Sequence, residues 1–103
     1  MQFHLGEGAL CQEVDITQPE ALDAAVAATL DRFGQLDVVL LNTGAVTVGS
    51  VERGDPQAFE RGIMVNLIEG WQTVRAVLPH VIATQGHILF VSSLAGTVQG
   101  PLL

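Results

Sequence analysis

Four places in this sequence put polar side chains where chemistry can be done. Ser92 and Ser93 follow the apolar run His87-Ile88-Leu89-Phe90-Val91, and a hydroxyl there can hydrogen-bond a substrate oxygen. Ordinary capping of an exit turn is the plain alternative. A serine-hydrolase elbow is excluded, because a Gly-x-Ser-x-Gly frame is absent and the residue two before Ser93 is Val91. Asn66 sits within a stretch of helical apolar spacing, where its amide competes for backbone hydrogen bonds. It either faces solvent, or it interrupts the helix, is buried and holds a water. Asn42, in Leu41-Asn42-Thr43-Gly44, ends another apolar run. Asn and Gly there are turn formers by default, and Gly44 also allows a ligand close to the backbone. Asp15 follows a third run. It serves either as a turn residue starting the next helix or as a carboxylate beside a nucleotide base. His4, His80 and His87 have no metal-ligand spacing and read as structural or surface residues, so no metal is expected.

The elements that must position these residues alternate in type. Ala9–Val14 reads as a short strand. Thr17-Gln18-Pro19-Glu20 matches a capping box with Pro at the first helical position, Thr17 accepting from the Glu20 amide. The helix it opens places Leu22, Ala25, Val26, Thr29 and Phe33 on one face, and Gly34 ends it. Leu36–Leu41 is a nearly unbroken aliphatic run that suits a strand covered on both faces. Residues 42–50 form a loop. Asp55-Pro56 opens a helix to about Leu78, with Phe59, Ile63, Leu67, Trp71, Val74 and Leu78 as its apolar ridge, ended by Pro79 and Gly86. His87–Val91 is the last strand. Strand-helix-strand-helix-strand order predicts an α/β fold with a partial doubly wound parallel sheet in one domain over residues 1–103. In such sheets the ligand crevice lies at the carboxyl ends of the strands, where Asp15, Asn42 and Ser92/Ser93 fall.

Composition narrows the function. With 49% hydrophobic and 15% charged residues, the 103-residue chain has a core-forming rather than a disordered balance. A net charge of -7, four scattered arginines and no lysine leave no clustered basic face for nucleic acid, and acidic membrane surfaces repel such a chain. No apolar run approaches membrane-spanning length, no signal peptide is read, and the cytoplasm is the expected location. Cys11 stands alone, so no internal disulfide forms, and it is expected as a small core residue.

Four segments, taken in order, resemble the short-chain dehydrogenase/reductase family. Asp15-Ile16-Thr17 is similar to the family's Asp-Val-Thr after its third strand, which sits against the adenine ring. Asp37–Gly44 resembles the fourth strand ending in Asn-Asn-Ala-Gly, with Leu41 and Thr43 as departures. Val65-Asn66-Leu67, with Gly70 after it, resembles the helix carrying an active-site asparagine. Residues 86–96 resemble the fifth strand and the catalytic-serine loop, which assigns Ser93 to the catalytic position. The resemblance implies a Rossmann-like sheet, NAD or NADP as cofactor and an alcohol or carbonyl substrate. It assigns Ser93 and Asn66 to catalysis, and Asp15, Ile16, Asn42, Thr43 and Gly44 to the cofactor. It also implies homo-oligomer contacts through helix 55–78.

The same resemblance implies a Gly-rich pyrophosphate turn and a Tyr-x-x-x-Lys pair, and the sequence contains neither tyrosine nor lysine. The chain is therefore expected to act as an internal fragment, inactive alone. The other expectation is a non-catalytic interaction module, or relic, that associates with a full-length relative through helix 55–78. In the family's strand order the first strand here does not neighbour the other two. It is expected to have lost its partner, leaving the chain marginally stable or the strand displaced.

Overall fold

A computed structural model describes residues 6, 8–46 and 49–93. Its elements are α1 (Pro19–Phe33), β1 (Val38–Leu41), α2 (Pro56–Ile63), a π-helical segment (Met64–Ile68), α3 (Glu69–Thr84) and β2 (His87–Phe90). The two strands pair in parallel, Val38 opposite His87 and Leu41 opposite Phe90, as the alternation of strand and helix requires. Helix α3 packs on this sheet and on α1.

Each end has a local cause. Pro19 occupies the first turn of α1, where its missing N–H costs nothing. The expected capping box does not form. Gln18 is the N-cap and makes no side-chain cap bond. The Thr17 amide and hydroxyl instead both donate to Asp15 Oδ1, at 2.9 and 2.6 Å. The charged carboxylate makes strong bonds to both Thr17 donors and holds Thr17 in the turn ahead of the helix, where it is not the N-cap. At the other end Gly34 adopts a left-handed φ of 85° and donates to the Leu30 carbonyl at 2.7 Å, closing α1 as its sequence predicts.

Helix α2 opens on Asp55, whose side chain accepts from the Gln57 amide at 3.0 Å. The helical run continues past Leu78 to Thr84, so Pro79 lies inside α3 rather than ending it. Pro79 cannot donate to the Arg75 carbonyl, but both residues are exposed and water can replace the missing amide. The stop comes from Gln85 at φ 54°. Its amide donates to Ile82 and that of Gly86 to Val81, the paired bonds of a Schellman turn.

Gly86 is then needed for a close approach. A Cβ there would overlap the Asp37 carbonyl oxygen and lie 2.8 Å from the carbonyl carbon. That carbonyl accepts from the His87 amide at 2.8 Å, which starts the β1–β2 ladder. Thr84 Oγ1 donates to the Leu36 carbonyl at 2.6 Å and ties the end of α3 to the chain entering β1.

The core is thin. Leu22, Leu41, Val77 and Val81 are its buried apolar residues. The radius of gyration is 16.2 Å, against about 13 Å for a compact chain of this length. The structure departs from the sequence expectation in five places. Segment 9–15 forms no ladder, because no strand among the described residues lies beside it; Gln12 Nε2 reaches the Ala25 carbonyl of α1 instead, at 3.2 Å. Cys11 on that segment is exposed rather than part of a core. Strand β1 is covered on one face only, leaving Val38 and Leu40 outward. On the long helical run Phe59, Ile63, Leu67, Trp71 and Leu78 are exposed, and only Val74 of that ridge is half-buried. The inward side of α3 is Glu69, Val77 and Val81. Phe33 likewise points out, its ring 5.7 Å from the Arg32 guanidinium carbon.

Candidate functional site at the strand exits

The exits of β1 and β2 lie side by side. Beyond the Leu41–Phe90 pair, the Val91 amide donates to the Leu41 carbonyl at 2.9 Å. Asn42 and Ser92 therefore leave the sheet from neighbouring strands. Asn42, Thr43, Gly44, Ser92 and Ser93 are all exposed there. The remainder of the serine loop, residues 94–96, lies outside the described residues.

Asn66 is cross-linked to this rim. Its Oδ1 accepts from the Ala45 amide at 2.9 Å and its Nδ2 donates to the Ala45 carbonyl at 2.7 Å. One carboxamide thus satisfies both main-chain groups of a residue just past β1. The helix accommodates this by widening. Met64–Ile68 is a π-helical segment, closed by the Glu69 amide donating to the Met64 carbonyl, one residue further than in an α-helix. The sequence left two alternatives for Asn66, and neither is complete. It does interrupt regular α-helix, but it is exposed and its polar ends are held by backbone.

Asp15 belongs to a separate corner. Its bonds from Thr17 hold its carboxyl below the ordinary aspartate value, the hydroxyl contributing most and the amide next. Ile16 beside it is half-buried. No hydrogen bond links Asp15 to the β1 and β2 exits among the described residues. Burial raises the Glu69 carboxyl on α3 above its ordinary value, and the Asp15 charge adds to this. The structure thus joins Asn42–Gly44, Asn66 and Ser92/Ser93, and sets Asp15 and Ile16 to one side.

Glu69 and Ala45 were missed in the sequence. Ala45 acts through its backbone and leaves no side-chain signal. Glu69 does leave one: stepping back from Val81 and Val77 at helical intervals reaches it, on the buried side of α3. A cavity of about 260 Å³ between α1 and α3, lined by Pro19, Asp23, Gln72, Arg75 and Ala76, shares no residue with the rim. No group of three or more potential metal ligands occurs among the described residues. No helix of the described residues is long and apolar enough to cross a membrane.

The exposed rim offers a carboxamide at Asn42 and a hydroxyl at Thr43, and the separate corner offers a carboxylate at Asp15. Such groups meet both donors and acceptors, which suits the base and ribose of a nucleotide. None is cationic, and a pyrophosphate finds no countercharge among them.

The chain closely resembles known proteins over this whole region. It is 39% identical over 100 residues to trans-4-hydroxycyclohexanecarboxylate dehydrogenase of Sinomonas cyclohexanicum, covering 94% of this chain and 39% of that one. The alcohol dehydrogenase of the archaeon Thermococcus sibiricus, complexed with 5-hydroxy-NADP, superposes with a TM-score of 0.81 at 28% identity, covering 88% of this chain and 39% of that one. Carveol dehydrogenase from Mycobacterium avium, in complex with NAD, gives 0.79 at 30% identity, covering 88% of this chain and 34% of that one. The chain spans about two-fifths of the length of the first of these relatives. The short chain dehydrogenase family model matches residues 2–103. With that match over almost its whole length, the chain belongs to the short-chain dehydrogenase family.

Proposed function

We propose that this chain carries the central part of an NAD(P)-dependent oxidoreductase site for an alcohol or carbonyl substrate, and is inactive alone. The observation that carries this reading is the pair of hydrogen bonds between Asn66 and the Ala45 backbone. It fixes a polar helix residue against the strand exit that leads to Asn42, Thr43 and Gly44, beside the exit that leads to Ser93. When bound, a nicotinamide cofactor supplies or accepts the hydride. Asp15, Ile16, Asn42, Thr43 and Gly44 would hold its base and ribose. Ser93 would orient the substrate oxygen by hydrogen bonding, and Asn66 would hold the rim and a water in the proton path. The proton donor must be supplied from outside, since the sequence has no tyrosine and no lysine.

Two measurements test this. The chain alone should leave NADPH unoxidised with any carbonyl substrate, and turnover by the purified chain would refute the inactive reading. In a longer form that carries a Tyr-x-x-x-Lys pair, Ser93→Ala should cut carbonyl reduction on the order of a hundredfold, as loss of an oriented hydrogen-bond donor does. A retained rate would remove Ser93 from the mechanism.

A second reading is favoured by one observation. Phe59, Leu67, Trp71 and Ile82 are about two-thirds exposed along the α2–α3 run. Such a stripe suits association with a second copy or a full-length relative through helix 55–78. Failure of the chain to co-elute with either on size exclusion would count against it.

A further inference from the structure

The cavity between α1 and α3 is built from two facing rows of side chains. Gln72, Arg75 and Ala76 are spaced three and four apart on α3, and Pro19 and Asp23 four apart on α1, so each row shares one helix face. Its volume of about 260 Å³ lies just below the range of about 300–1,000 Å³ that drug-sized ligands occupy. The space suits a small molecule and is too small for a dinucleotide.

Three features of the lining select the ligand. Gln72 Oε1 is buried and has no hydrogen-bond donor among the described residues. Glu69, one turn earlier on α3, has two more buried oxygens without a partner, so the deficit on this helix is of donors. A buried oxygen left unpaired is costly, and a ligand bringing an N–H group relieves that cost. Asp23 is exposed and forms no ion pair among the described residues, so a charged donor is favoured over a neutral one. Arg75 borders the same space from the opposite helix. It forms no ion pair with Asp23, and its guanidinium carbon lies 5.8 Å from the Trp71 ring centroid. A simple cation would be repelled by Arg75, and a simple anion by Asp23 and the Gln72 oxygen. One kind of ligand answers all three groups, with a protonated amine at one end and a carboxylate for the Arg75 fork at the other.

We propose that the α1–α3 cavity binds a small zwitterion whose ammonium and carboxylate are separated by a few carbons. Asp23 and Gln72 Oε1 hold the ammonium, and Arg75 holds the carboxylate. None of these residues belongs to the strand-exit rim or to the Asp15 corner, so the site stands independently of the function proposed above.

The test titrates the full chain with 4-aminobutyrate, and with n-butylamine and butyrate as its two halves. The Gln72 side-chain amide and the Ala76 methyl are followed by NMR. The zwitterion should shift both resonances and bind about tenfold more tightly than either half, as one further charged hydrogen bond requires. Asp23→Asn should bring it to the level of butyrate, and Arg75→Gln to the level of n-butylamine. Gln72→Leu should weaken it about tenfold without lowering Tm, because the lost acceptor has no partner in the free chain. A lower Tm in Gln72→Leu would mean that the chain itself supplies the donor, and overturns the proposal. Equal affinity for the zwitterion and either half overturns it too, as does the absence of shifts at Gln72 and Ala76.

Discussion

Replacing Asn66 by alanine removes two hydrogen bonds at once, to the amide and to the carbonyl of Ala45. Each ordinary hydrogen bond contributes about 0.5–1.5 kcal/mol net, so the pair is worth about 1–3 kcal/mol. Asn66 is exposed and Ala45 half-buried, so water recovers part of the loss. The expected cost is therefore near the lower end, about 1 kcal/mol, which corresponds to a fall in Tm of roughly 4–8 °C for a chain of this size. Residues 42–46 should lose their anchor as well. Hydrogen exchange at the Ala45 amide should quicken about fivefold, the ratio that 1 kcal/mol represents. Asn66→Asp is the sharper variant. It keeps the acceptor for the Ala45 amide but sets a negative oxygen against the Ala45 carbonyl, where Nδ2 now donates at 2.7 Å. Above the carboxyl pKa it should cost more than alanine, and the gap should close as acid protonates it. An unchanged Tm and unchanged Ala45 exchange in Asn66→Ala would refute the claim that this side chain holds the rim.

Two further substitutions test the frame around the site. Gly86→Ala should destabilise the chain by about 2–4 kcal/mol in urea unfolding, from overpacking together with loss of a ladder bond. Its Cβ overlaps the Asp37 carbonyl, so the His87–Asp37 bond must open; a stable Gly86→Ala chain would contradict this packing. Asp15 contributes on the acid side, because its folded-state pKa lies below the unfolded value. The Asp15 contribution is present above the ordinary aspartate pKa and lost as pH falls through the depressed one. The difference in urea midpoint between the parent and Asp15→Asn should therefore shrink on acidification through that window, and a constant difference would refute the Thr17 attribution.

Local chemistry made the frame legible from the sequence. Pro19, Gly34 and Asp55-Pro56 mark helix ends by constraints inside one or two residues, and each does so in the structure. The β1 and β2 runs were readable because Val38–Leu41 and His87–Phe90 are continuous aliphatic or aromatic stretches. What failed required knowing neighbours. Segment 9–14 has strand composition, but a strand exists only with a partner to bond. The ridge from Phe59 to Leu78 has helical periodicity, yet periodicity says only that a face is apolar, not that it is covered. Thr17 was within reach of both a helix amide, a donor, and a carboxylate, an acceptor, and spacing alone does not rank the two partners. At the site, Asn66 was legible as a helix residue out of place. Its partner was not, because Ala45 bonds through a main chain that every residue shares.

The rim of the site belongs to the crossover from Leu36 to Val91, where β1, α2, the π segment, α3 and β2 close on one another. Thr84 to Leu36, His87 to Asp37 and Asn66 to Ala45 are bonds between its distant ends and its middle. Each lies at an end of the parallel pair: two where the strands begin, and one where β1 leaves the sheet. The site-bearing rim is thus held by the same short unit that makes the sheet, and it needs little from α1 to keep its shape. Asp15 and Ile16 are different. They ride on the turn before α1, and α1 docks on α3. The proposed nucleotide site therefore depends on the α1–α3 packing to bring its two parts together, while the rim at the strand exits is held by the crossover itself.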